Sequence, residues 1–109
     1  MDARLSGNCH YVPVLEDSAT GITYYGNANY RNTAAAQVSV KVYKSDGSYN
    51  SSATVNRYGW DAVSGEGGSG VCQATAKIRA MVKAISTHKG KKNKNSSAWT
   101  ETTTRRFDK

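Results

Sequence analysis

The clearest pattern in the chain is an alternation of apolar and polar residues over positions 37–43, where Val38, Val40 and Val42 take every second place. Because successive side chains of a β-strand point to opposite faces of the sheet, this spacing predicts a strand with one buried and one solvated face. Asp46-Gly47 follows and suits a tight turn. Residues 49–58 are therefore expected to pair with the strand as a hairpin.

Shorter elements are predicted around this strand. Residues 8–16 read as a short strand that Pro13 restricts to a sheet edge or a strand start. Residues 20–31 predict two short strands, or one strand with a bulge, around Gly26. Residues 59–70 contain five glycines and predict a loop.

Residues 71–88 fit either of two periods. As a strand they place small apolar residues on one face and mostly polar residues on the other. As a helix they form an apolar stripe, with Gly90 just beyond the end. The strand is favoured because a polar tip and the threonine-rich residues 96–107 follow, which together predict a long C-terminal hairpin. The alternative is an α+β fold with a helix at 72–87.

The expected fold class is all-β, a small antiparallel β-sandwich formed by a single domain over residues 1–109. Most apolar residues are Ala and Val, so its core is predicted to be thin. Residues 1–7 are expected to be flexible. Residues 89–95 are expected to form a mobile basic loop, because nothing in that segment suits burial.

Two cysteines, Cys9 and Cys72, predict one disulfide that closes a loop of about 60 residues and stabilises the thin core. A disulfide in turn predicts a secreted, extracellular protein. The alternative is a pair of buried free thiols in a cytosolic protein. Sequons at Asn50 and Asn95 would accept glycans in a eukaryotic secretory pathway.

No metal or cofactor is expected. The chain has two histidines, His10 and His88, and no CxxC pair to anchor a tetrahedral zinc site. It also lacks a run of about 18 apolar residues of the kind that crosses a bilayer.

Charge is distributed unevenly along the chain. Residues 1–76 hold five Lys or Arg and six Asp or Glu, whereas residues 77–109 hold ten and two, so the net charge of +7 is C-terminal. Such a concentration of positive charge favours association with anionic partners. The alternative explanation is that the cations form a solvated surface that only keeps the protein soluble. The predicted anion-binding residues are Lys77, Arg79, Lys89, Lys91, Lys92, Lys94, Arg105 and Arg106.

A second candidate surface is aromatic and comprises Tyr24, Tyr25, Tyr30 and Trp99. Aromatic faces beside amide side chains bind sugars and partner proteins, although ordinary strand packing explains the same residues. Specific nucleic-acid binding is not expected, because the basic third interleaves few aromatics with its cations and carries no known recognition motif. A protein partner and the oligomeric state cannot be assigned from these patterns.

The leading functional hypothesis is a secreted non-enzymatic binding module that presents a basic hairpin to an anionic polymer or membrane surface. One alternative is a secreted cationic antimicrobial or membrane-active toxin. Another is a small ribonuclease-like hydrolase that uses His10 or His88. No catalytic residue is assigned, since the chain contains no nucleophile elbow, phosphate-binding loop or zinc-protease motif.

Overall fold

A computed structural model describes residues 2–9, 15–26, 35–57, 70–91 and 98–107. Within these ranges the chain forms strands and no helix. The strands are β1 Asp2–Asn8, β2 Glu16–Tyr25, β3 Ala35–Tyr43, β4 Tyr49–Ser51, β5 Val55–Arg57, β6 Gly70–Arg79, β7 Lys83–Lys91 and β8 Trp99–Arg106.

The strands form two antiparallel sheets that pack face to face. The three-stranded sheet has the order β1-β2-β6. The five-stranded sheet has the order β4-β3-β7-β8, and β5 also pairs with β3. Across the sandwich, β6 and β2 lie over β3, while β1 lies over β8. The prediction of an all-β fold with two antiparallel sheets is confirmed.

The core between the sheets is built from small residues. Val38, Val40 and Val42 of β3 are at most 1% exposed, which confirms the strand predicted from their alternation. Opposite them, Gly21 of β2 lets the sheets approach closely, since a Cβ at that position would overlap Ser86 Oγ. The remaining buried apolar residues include Ala19, Cys72, Ala74, Ala76, Met81 and Ala84.

The hairpin predicted at Asp46-Gly47 is present. Lys44 N donates to Ser48 O at 2.8 Å, Gly47 N donates to Lys44 O at 3.1 Å, and Gly47 has φ of 89°. That left-handed conformation is accessible to glycine at no steric cost. The second arm is divided into β4 and β5, because Val40 N donates to the side-chain Oγ of Ser52 at 2.9 Å and the second arm carries one extra residue between the pairs Lys41–Ser51 and Val38–Val55.

Residues 70–91 form two strands that belong to different sheets, so the helix considered at 72–87 is wrong. The break between β6 and β7 lies at Ala80, whose φ is 54°. Two hydrogen bonds hold the chain where it passes from one sheet to the other: Met81 N donates to Asp17 Oδ2 at 2.9 Å, and Val82 N donates to Tyr43 O at 2.9 Å. The favoured prediction of one strand over residues 71–88 is also wrong, since the strand is divided at Ala80. Of the predicted C-terminal hairpin, the pairing of β7 with β8 is present.

The predicted disulfide is not formed, and both cysteines are free. Strand register gives the reason. Asn8, which precedes Cys9, pairs with Ser18 of β2, whereas Cys72 pairs with Thr23, five positions further along the same strand. Five residues of strand span about 16 Å, which exceeds the Cα separation of about 7 Å that a disulfide tolerates.

Several predicted boundaries also differ. Residues 1–7 were predicted to be flexible, whereas Asp2–Asn8 form β1 at the edge of the three-stranded sheet. Residues 89–95 were predicted to be a mobile loop, whereas Lys89–Lys91 belong to β7 and residues 92–97 lie outside the described part of the chain. Most of the predicted strand at 8–16 and the loop at 59–70 also lie outside it.

Candidate anion-binding surface

The outer surface of the five-stranded sheet carries a cluster of cations. Alternate residues of β7 face inward and are buried, so Lys83, Lys89 and Lys91 face outward. Register places Lys41 of β3 and Arg106 of β8 on the same side. We call these five residues the basic face. Among the described strand residues of this sheet, no carboxylate lies on the outward side.

Two of these lysines lie against tyrosine rings. Lys41 Nζ is 4.5 Å from the ring centroid of Tyr49, and Lys83 Nζ is 4.5 Å from that of Tyr43. The two rings are themselves 5.9 Å apart and tilted by 47°. Cation–π attraction favours these positions of the ammonium groups. The result is a lysine–tyrosine row that crosses β4, β3 and β7.

A surface groove of about 360 Å³ lies beside this row. Its walls come from β3, the segment 51–54 and β7, and most of its side chains carry hydroxyls. The lining residues are Ser39, Val40, Lys41, Tyr43, Ser51, Ser52, Thr54, Ile85 and Thr87.

The structure brings together only part of the predicted anion-binding set. Lys89, Lys91 and Arg106 lie on the basic face. Lys77 and Arg79 lie on β6, exposed on the outside of the other sheet.

Arg105 lies on the opposite side of β8 from Arg106, with its guanidinium carbon 5.4 Å from the ring centroid of Phe107. Lys92 and Lys94 lie outside the described residues. Lys41 and Lys83 were missed, and the available signal was that each lies at an outward position of a predicted strand.

Three of the four residues of the predicted aromatic surface are described, and they lie in different parts of the fold. Tyr24 lies on the outer side of the three-stranded sheet, 5.2 Å from the guanidinium carbon of Arg4. Tyr25 is 5% exposed and belongs to the core. Trp99 is half-buried on β8, and Tyr30 lies outside the described residues. Tyr24, Tyr25 and Trp99 therefore do not share one surface.

His88, the histidine that the hydrolase alternative would use, is a core residue of β7. It is fully buried, with Nδ1 2.8 Å from Thr23 Oγ1 and Nε2 3.0 Å from Thr103 Oγ1. Burial lowers the pKa of His88 to about 4, because the interior disfavours the charged imidazolium. A neutral imidazole held between two hydroxyls inside the sandwich has no access to a polymeric substrate. His10 lies outside the described residues.

The Cys72 thiol and the Asn50 side-chain amide are both engaged in contacts within the fold. Cys72 is buried with Sγ 3.2 Å from Val55 O, and desolvation raises the pKa of its thiol. Asn50 donates through Nδ2 to Lys77 O at 2.8 Å, so the nitrogen of this sequon already joins the two sheets. Asn95 lies outside the described residues. No group of three or more His, Cys, Asp or Glu side chains converges within the described ranges.

Comparisons of this chain with protein-family models, curated proteins and solved structures found no match. In the ranges that the structure describes, no helix has the length and apolar character to cross a membrane.

Proposed function

We propose that this protein is a non-enzymatic binding module that holds an anionic polymer or surface against the basic face. The observation that carries the proposal is the charge pattern of the five-stranded sheet: Lys41, Lys83, Lys89, Lys91 and Arg106 share its outer side, where no described strand carboxylate opposes them. Clustered cations of one sign attract anions and raise their association rate.

The sheet gives this surface a fixed geometry. Residues two apart on a strand are separated by about 7 Å and neighbouring strands by about 5 Å. Register therefore divides the basic face into two groups, Lys41, Lys83 and Arg106 at one end of β7 and Lys89 and Lys91 at the other, about 13 Å or more apart. Within each group the spacing is about one Debye length or less at physiological salt. A polyanion with several charges can therefore contact more than one cation at once. The β7–β8 hairpin supplies four of the five charged residues.

The outer side of the five-stranded sheet is better suited to binding at an anionic surface than to insertion into a lipid bilayer. Its outward side chains on β8 are Thr100, Thr102, Thr104 and Arg106, and Ile85 is the one large aliphatic residue among the outward positions of β7. Insertion of a protein surface into a bilayer needs a sizeable apolar area. We therefore propose surface binding rather than membrane disruption, and dye release from anionic liposomes at micromolar protein would contradict this choice.

The predicted secretion rested on a disulfide, and both cysteines are free. The proposal for the basic face is independent of compartment, because it depends only on charge and strand register.

The proposal is tested by removing two charges from either of two surfaces. Lys89→Gln with Arg106→Gln alters the basic face, and Lys77→Gln with Arg79→Gln removes the same charge from the outer side of β6. Elution from immobilised heparin measures the effect. We expect the basic-face variant to elute at clearly lower salt and its salt slope to fall by about 2, since each lost contact releases fewer counterions.

The β6 variant is the matched control, because both variants have the same net charge. It should shift elution much less than the basic-face variant. Equal shifts for the two variants would mean that net charge alone governs binding. No retention of the parent protein would exclude a general polyanion-binding function.

A further inference from the structure

The groove beside the lysine–tyrosine row has the size and chemistry of a small polar binding site. Its volume of about 360 Å³ lies at the lower end of the range of about 300–1,000 Å³ for ligand pockets. Most such pockets are lined by apolar side chains, whereas this one is lined mainly by serine and threonine. A matching ligand is therefore small and rich in hydrogen-bonding groups.

The groove hydroxyls differ in their availability. Ser52 is committed to the backbone, since its Oγ accepts from Val40 N at 2.9 Å and donates to Val40 O at 3.3 Å. The other four, on Ser39, Ser51, Thr54 and Thr87, make no hydrogen bond with any described residue. Each hydroxyl offers one donor and two acceptor positions. Four uncommitted hydroxyls around one groove complement a ligand that itself carries several hydroxyls.

A positive charge accompanies these hydroxyls. Lys41 lines the groove with its ammonium over the Tyr49 ring, and Tyr43 lines it with the Lys83 ammonium over its own ring. Because the rings favour these lysine positions, less side-chain freedom is lost when an anion binds. The groove thus combines hydrogen-bonding positions for hydroxyls with a cation for one anionic group.

We infer that this groove is the subsite for one ring of an acidic polysaccharide, a uronate or a sulfated sugar, and that the rest of the polymer follows the basic face. The inference rests on the proposed function. The sugar hydroxyls bond to Ser39, Thr54 and Thr87, and the carboxylate or sulfate contacts Lys41. Tyr43 presents an aromatic surface beside the ring.

A polymer of phosphates without sugar rings provides the contrast that tests this assignment. Such a polymer binds the cations of the basic face but has no ring hydroxyls to bond to the groove. The two ligands therefore distinguish a saccharide subsite from attraction by charge alone.

The experiment compares two pairs of threonine variants that leave the charge unchanged. Thr54→Val with Thr87→Val removes two groove hydroxyls, and Thr102→Val with Thr104→Val removes two from β8 on the same sheet face, outside the groove. Dissociation constants are measured for polygalacturonate oligomers and for inorganic polyphosphate at one ionic strength, and urea midpoints verify that each variant folds.

We expect the groove pair to weaken polygalacturonate binding about tenfold, the effect of losing two ordinary hydrogen bonds, and to change polyphosphate binding less than twofold. The β8 pair should change neither. A second groove variant, Ser39→Ala with Ser51→Ala, should repeat the selective loss.

Three results would overturn the inference. Polygalacturonate binding that is the same in both threonine pairs would exclude the groove, and equal losses for both polymers would show that the groove does not recognise sugar. In either case salt-dependent binding of the parent protein leaves the proposed function intact. If the parent binds neither polymer, the proposed function fails together with the inference.

Discussion

His88 illustrates how a residue that suggests chemistry in a sequence can serve the fold instead. The sandwich buries its imidazole completely and gives each ring nitrogen a threonine hydroxyl as partner, Thr23 on β2 and Thr103 on β8. It thereby links the two sheets and neighbouring strands through polar contacts inside a core of small residues. Nearby, the Ser86 hydroxyl is buried with no hydrogen-bond partner in the described chain. The interior thus contains one polar side chain whose hydrogen bonds are satisfied, His88, and one whose hydrogen bonds are not, Ser86.

Burial of His88 makes the stability of the protein depend on pH. Its pKa is about 4 in the folded protein and about 6.5 in the unfolded chain, so the unfolded chain binds the proton more readily. Stability is therefore fully present above pH 6.5 and is lost as pH falls toward 4. We expect the free energy of unfolding, measured with urea, to fall by on the order of 1 kcal/mol between pH 7 and pH 5.

His88→Gln should remove most of this dependence, because glutamine keeps hydrogen-bonding groups but does not titrate. The control is His10→Gln, which changes the other histidine of the chain. This variant should retain the pH dependence of the free energy of unfolding. An unchanged pH dependence in His88→Gln would contradict the assignment.

At the scale of elements, the connection from β6 to β7 decides the topology. Ala80 adopts φ of 54°, a left-handed conformation that costs a residue with a Cβ roughly 1 kcal/mol. The hydrogen bonds of Met81 to Asp17 and of Val82 to Tyr43 hold the chain in this crossing. The crossing moves the chain from the three-stranded to the five-stranded sheet, so β6 and β7 do not pair as a hairpin.

Ala80→Gly should stabilise the protein by up to about 0.5 kcal/mol. Glycine adopts positive φ without the steric cost, and this gain exceeds the greater entropy of glycine in the unfolded chain. The midpoint of urea unfolding measures the change. Ala53→Gly, at an exposed position without positive φ, is the control and should destabilise slightly. Equal destabilisation of both variants would exclude strain at Ala80.

The sequence predicts those elements whose cause is local. A period of two over 37–43 and a turn at Asp46-Gly47 suffice for β3 and its hairpin, because strand alternation and turn conformation are properties of neighbouring residues. The break at Ala80 has no such local cause. It depends on partners from β2 and β3 that are distant in sequence.

The same distinction applies to the site. Lys89, Lys91 and Arg106 are found by counting charge in the C-terminal third. Lys41 joins them only through the pairing of β3 with β7, which a charge count does not contain.

The molecule as a whole is held together without a covalent link between its strands in the described ranges. Its cysteines lie at different levels of the three-stranded sheet: Cys9 follows the end of β1 at Asn8, and Cys72 lies next to Thr23. The core must therefore hold the two sheets through apolar burial and backbone pairing. Its tight packing at Gly21 and the complete burial of the β3 valines fit this requirement.

Free thiols predict that reducing agent does not change the stability of the protein. A bridge closing a loop of about 60 residues would contribute about 4 kcal/mol, so its reduction would shift the urea midpoint by far more than the error of measurement. We expect identical midpoints with and without dithiothreitol. Alkylation in denaturant without reductant should add two labels to each chain by intact mass, whereas a disulfide would leave the chain unlabelled.

In the native state the two thiols should react at different rates. Cys72 is fully buried and its thiol pKa is raised, so the thiolate that reacts with iodoacetamide is scarce and inaccessible. Cys9 is half-buried and should be labelled first. Cys9→Ser then removes the fast phase and leaves only slow labelling at the rate of unfolding. Fast labelling that persists in Cys9→Ser would mean that Cys72 is accessible, and the packing of β6 against β3 and β5 would have to be revised.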